Sequence, residues 1–533
     1  MIKKMYNKQN HIKVRMVVSM DKNSKNEKTD LLTGSSKKKN KKVEKKPFPV
    51  FTVFCIVAGL LLVAIIGTNI YKSTAGDKRG KVIMTVGDTS INAVEFQYFF
   101  QSVYNQYYQY LSYFGVDTSS SSFLDEKSTM DASQTWREYF TDTALKELKQ
   151  TLLLYNAAKE NGLQLEDSDK NQITTQLQTY EGYASQNKVS IGTMLTNIFG
   201  RGFAKSDFEN MMSIALLADK MRAQKVDSFT YTDEQLEAYY NDNKSAYDVY
   251  TYLLTSFAYE TPTDDASTPD VDESQDTSSK DAAKAKAEAF LAKVQGKTQQ
   301  EFLAIAQAED ESFTAESITK TDVTMNSIAV TEVSNWLKEG RNVGDTAVLE
   351  NVSAYYVPYF IDAHRDNYKT VNLRIITVDA EDVEDDTDTQ AKSDATAAAK
   401  TKAEEIYTKW QENGANEEAF KNLVSENSDD STTKSNGGLL NEVGKLTYAS
   451  TYGSEFDSFA FDINRKEGDC QVITTSSGAA VVYFVSYGEE YWKINSRSGL
   501  KNKDFTAYVN ELENQYKDGY YENKDEAINS SKK

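Results

Sequence analysis

Apolar positions fall on three different periods along this chain. The longest unbroken block is PFPVFTVFCIVAGLLLVAIIGTNIY, Pro47 to Tyr71, 25 residues without a charge. A helix needs about 20 apolar residues to cross a hydrocarbon layer of about 30 Å. One such run can satisfy its backbone in lipid only as a helix, so the pattern predicts a single transmembrane helix over 47–71. A short strand, Val82–Val86, and a turn at Gly87-Asp88 follow. Asn92 and Glu95 then form a variant of the capping box ahead of the aromatic run Phe96–Tyr113. Leu145, Leu148, Leu152 and Tyr155 recur at helical spacing between Trp136 and Asn161, and Gly162 fits the stop. Helices are also predicted at about 168–186, 190–199 and 205–226, and from Thr232. Residues 82–248 therefore read as an all-α module, helical almost throughout.

After that the period shortens. Val249–Phe257 is predicted as a strand, rich in β-branched and aromatic residues. Residues 260–280 form an acidic, Ser/Thr-rich loop expected to lack fixed structure. Helices follow at about 281–295 and 299–308, then a turn and two strands between Val343 and Ala363. From Val371 the same order begins again, which marks an internal repeat. VYTYLLT (249–255) matches VNLRIIT (371–377), and AKAKAE (283–288) matches AKTKAE (399–404). GDTAVLENVSAYYVPYFI (344–361) matches GDCQVITTSSGAAVVYFV (468–485) without a gap. Two copies of one α/β unit, 249–365 and 371–490, are predicted. A last amphipathic helix within 500–520 carries the stripe Phe505, Tyr508, Val509, Leu512 and Tyr516. Alone in water a helix of that length is marginal, so it must dock on another part of the chain. The last dozen residues are polar and expected to be loose. The predicted fold class is α+β: one transmembrane helix, an all-α module and two α/β domains.

Charge orients this arrangement. Residues 1–46 hold 15 Lys/Arg against 4 Asp/Glu and should be disordered, and Lys37 to Lys46 crowd the start of the apolar run. Positive charge stays on the cytoplasmic side, which predicts a single-pass cell-membrane protein with a cytoplasmic N-terminus and an extracytoplasmic bulk. The whole chain carries −20, so the remainder is more acidic still. That balance argues against nucleic acid as a partner. Two other readings of the run exist. Ser73-Thr74-Ala75 is a small-residue cleavage site, but the run exceeds the ~7–15 apolar residues of a signal peptide. A lipoprotein signal at Cys55 would follow Val53-Phe54 rather than small residues. Translation could start at Met1 or at Met20.

Composition removes most catalytic chemistry. Cys55 and Cys470 are the two cysteines, one inside the apolar run, so no disulfide joins the outer part. His11 and His364 are the two histidines. This excludes Ser-His-Asp and Cys-His nucleophile systems and most zinc sites. No metal and no cofactor are predicted. Tyrosine is abundant, at 33. The run Phe96–Tyr113 reads as a helix with half-buried tyrosines, or as a surface that accepts exposed apolar segments of other chains.

The second copy resembles a parvulin, the small prolyl isomerase domain. The residues that carry the resemblance are the strand VNLRIITV, a Lys/Ala-rich helix, EEAFKNLVSENSDDSTTKSNGGLL (417–440), EFDSFAFDINRKEGD (455–469) and the strand GAAVVYFV. The helical module ending in DEQLEAYYNDNKSAYD is similar to the N-terminal chaperone region of the SurA and PrsA families. The resemblance implies an extracytoplasmic foldase, suited to a Gram-positive cell, whose partners are unfolded or secreted polypeptides and whose last helix packs on the helical module. It implies peptide-binding positions at Asp430, Phe459 and Phe461, and no catalytic residue. Parvulins carry a histidine in the first strand and another in the last. Those positions align with Arg374 and Ala480 in the second copy, and with Tyr252 and Tyr356 in the first. Rotation about an X–Pro bond faces a barrier of about 18–20 kcal/mol and needs no nucleophile. It needs a site that binds the twisted imide better than the planar one. Three functions follow as expectations: a chaperone whose parvulin-like domains are weak or inactive isomerases, an active isomerase through the second copy, or a non-catalytic envelope scaffold.

Overall fold

The computed structural model describes residues 75–532 apart from 113–115, 119, 121, 260–272 and 384–386. The predicted basic tail (1–46) and transmembrane helix (47–71) lie outside the described residues. Among those described, no helix is long and apolar enough to cross a membrane.

The helical module opens with β1 (Val82–Val86) and β2 (Thr89–Asn92), then α1 (Phe96–Leu111), α2 (Trp136–Glu160), α3 (Asp167–Gln186), α4 (Ile191–Phe199), α5 (Lys205–Ser228) and α6 (Asp233–Asp242). Its helix starts are set by side chains. Asn92 Oδ1 accepts from the N–H groups of Val94 and Glu95, and Glu95 Oε2 accepts from Asn92 N–H. Thr135 with Glu138, and Thr232 with Gln235, close full capping boxes. A core of Phe96, Phe100, Trp136, Phe140, Leu148 and Leu152, with Met211 and Ile214 of α5, holds α1, α2 and α5 together.

Two corrections follow. The module is not all-α: β1 pairs with β2 on one side and with β11 (Tyr521–Glu522) on the other, giving a three-stranded antiparallel sheet. The last dozen residues are not loose. After β11, α14 (Lys524–Ser530) buries Ala527, and Arg137 Nη1 donates to Ser531 O at 2.7 Å. Few apolar residues mark this end, because backbone pairing and one alanine do the docking. The helix before it, α13 (Tyr491–Gln515), starts well ahead of residue 500. Its Phe505 and Leu512 join the module core, and Tyr516 Oη donates to Glu160 at 2.6 Å.

The first sheet region contains β3 (Asp248–Ala258), α7 (Glu273–Val294), α8 (Gln299–Glu309), β4 (Thr319–Thr324), α9 (Thr331–Lys338), β5 (Leu349–Glu350) and β6 (Ala354–Arg365), with strand order β4-β3-β6-β5. The second has β7 (Lys369–Asp379), α10 (Thr389–Glu412), α11 (Glu417–Asn427), β8 (Leu439–Val443), α12 (Ser454–Ala460), β9 (Cys470–Thr475) and β10 (Gly478–Glu490), ordered β8-β7-β10-β9. Of the predicted acidic loop, 260–272 lie outside the described residues, and 273–280 belong to α7 instead. Both sheets are antiparallel and share the same connection pattern. The turns before β5 and β9 match bond for bond. Gly344 and Gly468 both take φ +91°, and their N–H groups donate to Phe360 O and Phe484 O, each at 2.9 Å. Asp345 Oδ2 accepts from Asn342 N–H as Asp469 Oδ2 accepts from Lys466 N–H.

The ungapped strand match slips by one residue. Tyr252 lies opposite Phe360, and Leu373 lies opposite Phe484. Tyr252 thus corresponds to Leu373, not to Arg374. A bulge at Ile361 in β6, matched by one at Val485 in β10, leaves this correspondence unchanged on either side of it.

Candidate functional site

The second sheet buries both faces, and period-2 alternation decides which residue goes where. Ile376, Val378, Ala479, Val481 and Tyr483 face α10 and α11. Leu373, Ile375, Ala480, Val482 and Phe484 face the other way, under Tyr448, Tyr452, Phe456 and Phe459. Phe456 and Phe459 stand three apart on α12, which puts both on its inner side. This second face is the candidate site, because Asp430, Phe459 and Phe461 all reach it.

Asp430 closes its polar end. Its Oδ1 accepts from Thr432 N–H (2.8 Å) and its Oδ2 from Thr433 Oγ1 (2.7 Å), capping the one-turn helix Ser431–Lys434. Its own N–H donates to Thr377 Oγ1 at 2.8 Å. Burial works to raise the Asp430 carboxyl, but the bonds from Thr433 and Thr432 outweigh it and hold it below its ordinary value. Burial first, and next the charge of Asp430, pushes the Tyr452 hydroxyl up to about 12. Tyr452 packs on Phe456 with ring centres 5.2 Å apart. Asp430 therefore stays charged and Tyr452 stays protonated at neutral pH.

Phe459 is a core residue. It is 2% exposed, and Arg465 covers it, with the guanidinium carbon 3.8 Å from the ring centre and Nε donating to Phe459 O. Phe461 ends α12 half-buried, edge-on to Tyr368 at 5.6 Å. Tyr368 stacks on Tyr491 at 4.9 Å and accepts the Lys445 N–H on Oη at 2.9 Å; burial pushes its hydroxyl well up.

The structure separates Arg374 from Ala480. Ala480 lies opposite Thr377, whereas Arg374 lies opposite Tyr483 and points to the helix side. There Nε binds Glu417 (2.8 Å) and Nη1 binds the carbonyls of Asn436 (3.2 Å) and Gly437 (2.6 Å). Groups that act on one substrate must share a face, so Arg374 does not belong to this site. The face position across from Ala480 is Thr377. In the first sheet the same register places Ser256 opposite Tyr356. There Tyr252 and Tyr356 do share a face, packed with Trp336 and Leu337 of α9. Burial pushes Tyr252 up to about 12.

Thr377, Ser428 and Tyr452 were missed from the sequence. Ser428 Oγ stands 3.3 Å from Thr377 N. The usable signal was the alternation from Ile375 to Thr377. It also puts Arg374 on the opposite face, since residues one apart along a strand point to opposite sides. Of these polar groups, Thr377 and Ser428 carry no ionisable proton near neutrality, and burial keeps Tyr452 protonated. Cys470 offers no nucleophile, since burial pushes its thiol well up.

Residues 382–486 match the family described as Rotamase, the PPIC-type PPIase domain. No curated protein matches the chain. Among solved structures, peptidylprolyl isomerase PrsA from Bacillus cereus is 13% identical, covering 58% of this chain and 85% of its own, with a TM-score of 0.18. Foldase protein PrsA from Streptococcus pneumoniae is 14% identical (49% and 79% covered, TM-score 0.17), and PrsA from Bacillus subtilis is 15% identical (59% and 88%, TM-score 0.18). The family match thus falls on the second sheet region, the part of the chain whose sequence resembles a parvulin.

Proposed function

We propose that this chain is a membrane-anchored, extracytoplasmic foldase that holds unfolded or translocated polypeptides, with residues 249–365 and 371–490 as two copies of a parvulin-like domain. Holding, not isomerisation, is its main activity. The observation that carries this is the face of the PPIC-type domain. Where a twisted imide would have to bind, Phe456, Phe459, Ala480, Val482 and Phe484 pack against one another with at most 2% exposure. Differential binding of a twisted imide needs open apolar space beside fixed polar groups. The polar groups at hand, Asp430 and Thr377, are engaged with each other and with the capped turn. The uncharged 47–71 run and the Lys-rich flank support the anchor.

A second reading, an active isomerase through residues 371–490, is favoured by the family match itself. Asp430 and Phe461 at the two margins of the face would then be its peptide contacts. One pair of assays separates the readings. The full chain in nanodiscs is tested for suppressing aggregation of an unfolded client and for protease-coupled isomerisation of an X–Pro peptide. Suppression without catalysis is expected. Catalysis lost on Phe461→Ala would move the assignment to the isomerase. Absence of suppression would sink the holding function.

A further inference from the structure

The two sheet regions share one contact that neither the repeat pattern nor the candidate site explains. Arg341 and Arg465 each stand three positions before the turn glycines Gly344 and Gly468. Arg341 Nε donates to Trp336 O at 2.6 Å, and its guanidinium carbon lies 4.7 Å from the Trp336 ring centre. Arg465 repeats this on Phe459, at 2.8 Å and 3.8 Å. Trp336 lies on α9 and Phe459 on α12, and each belongs to an apolar cluster of its own sheet. Around the contact the copies differ. The ring is an indole in one and a phenyl in the other, five residues before the arginine and six. Arg341 pairs with Glu339, whereas Arg465 Nη1 pairs with Asp469 Oδ2 at 3.5 Å. What recurs is an arginine folded over a ring and bonded to the carbonyl of the same residue.

We infer that Arg465 is a latch: its side chain holds the apolar face of the second copy shut, and its release opens that face beside Phe459 to the ring of an X–Pro segment. Arg341 is the same latch on the first copy. The inference rests on the reading above that the face is closed, and names what closes it. A guanidinium is always charged, and an apolar side chain would seal a ring without the cost of desolvating that charge. The arginines instead keep contact with water, with the Arg465 side chain 14% exposed and that of Arg341 19%. Phe459 is 2% exposed beneath its arginine. Phe459 and Asp469 lie within six residues of Arg465, so releasing the side chain breaks no strand pairing. The main chain is tied separately. Arg465 N–H donates to Asp462 O at 3.0 Å, and Arg465 O accepts from Tyr487 Oη at 3.1 Å. The side chain can therefore leave while the turn stays, a local opening that costs far less than unfolding. A segment that binds only the open face shifts the population toward it.

The test uses the full chain in nanodiscs and one fluorescent X–Pro peptide, with binding followed by anisotropy. Arg465→Ala should bind the peptide about tenfold more tightly than wild type. That is the gain when a face open about a tenth of the time becomes open throughout. Protease-coupled isomerisation of the same peptide should rise above the wild-type rate. Arg465→Leu, which covers the ring again with an apolar side chain, should bind like wild type. Arg465→Lys keeps the charge and a long stem but loses the Nε bond, so its gain should be smaller. It carries the test if circular dichroism shows the alanine variant unfolded. If neither wild type nor the folded variants bind the peptide, something else closes the face: the latch falls and the closed-face reading stands. If wild type already binds as tightly as Arg465→Ala, the face is open and both fall. A gain in Arg465→Leu as large as in Arg465→Ala would trace the effect to lost charge, and would overturn the latch.

Discussion

The guanidinium carbon of Arg365 lies 4.3 Å from the ring centre of Trp492. The Tyr240 ring, itself against Trp492, is 3.9 Å from the same carbon, and Arg365 Nη1 donates to Glu237 Oε2 at 2.8 Å. Arg365 ends β6, Tyr240 and Glu237 belong to α6, and Trp492 opens α13. One side chain therefore joins the first sheet region, the helical module and the segment leaving the second sheet. Gly499 lets the helices meet, since a Cβ there would run into Tyr239 and Tyr247.

Arg365→Ala should loosen this joint without unfolding what it joins. Two cation–π contacts contribute about 0.5–1 kcal/mol each at partly exposed sites. Far-UV circular dichroism should stay unchanged, while small-angle scattering should report a larger radius of gyration. Identical scattering curves would show that Arg365 does not set the arrangement.

Arg374→Met tests the face assignment. The variant keeps the apolar stem but leaves the carbonyls of Asn436 and Gly437 without their donor, at a cost of about 1–3 kcal/mol. The midpoint of thermal unfolding should fall, and client binding and any isomerase activity should be untouched. A selective loss of activity at unchanged stability would return Arg374 to the site.

Asp430→Ala removes a helix cap, at a cost of about 0.5–2 kcal/mol. The folded carboxyl titrates below its unfolded value. Its stabilisation is therefore complete above the unfolded carboxylate pKa of about 3.9 and is lost as pH falls through the lower, folded value. Urea midpoints of wild type and variant should differ at pH 7 and converge in strong acid. A gap that persists there would show that the cap acts without its charge.

Gly438→Ala should be more damaging than its size suggests. Gly438 takes φ +74°, and a Cβ would press on the Ile375 carbonyl and on Val424. Its carbonyl accepts the Ile375 N–H at 2.9 Å, so a shift there breaks the β7–β8 pairing. Left-handed strain costs about 1–3 kcal/mol, before the clash is added. A variant as stable as wild type would mean that this turn can relax.

Much of this protein is legible in its residues taken singly or at short range. Capping pairs such as Thr135 with Glu138, the alternation in β7 and β10, and the Gly-Asp turns at 344 and 468 depend on neighbours a few positions away. The sequence alone therefore determined where the helices and most strands run, that the sheet unit occurs twice, and that the positions aligned with the parvulin histidines hold other residues. Tertiary structure decided three things. It paired β11 with β1, because two strands more than 400 residues apart share no local signal. It set the register that places Thr377, not Arg374, across from Ala480, because the whole β7–β10 ladder chooses the pairing and neither strand encodes it alone. And it closed the face around Phe459, because Arg465, six positions on in the same segment, folds back over the ring, a contact that residue spacing does not encode.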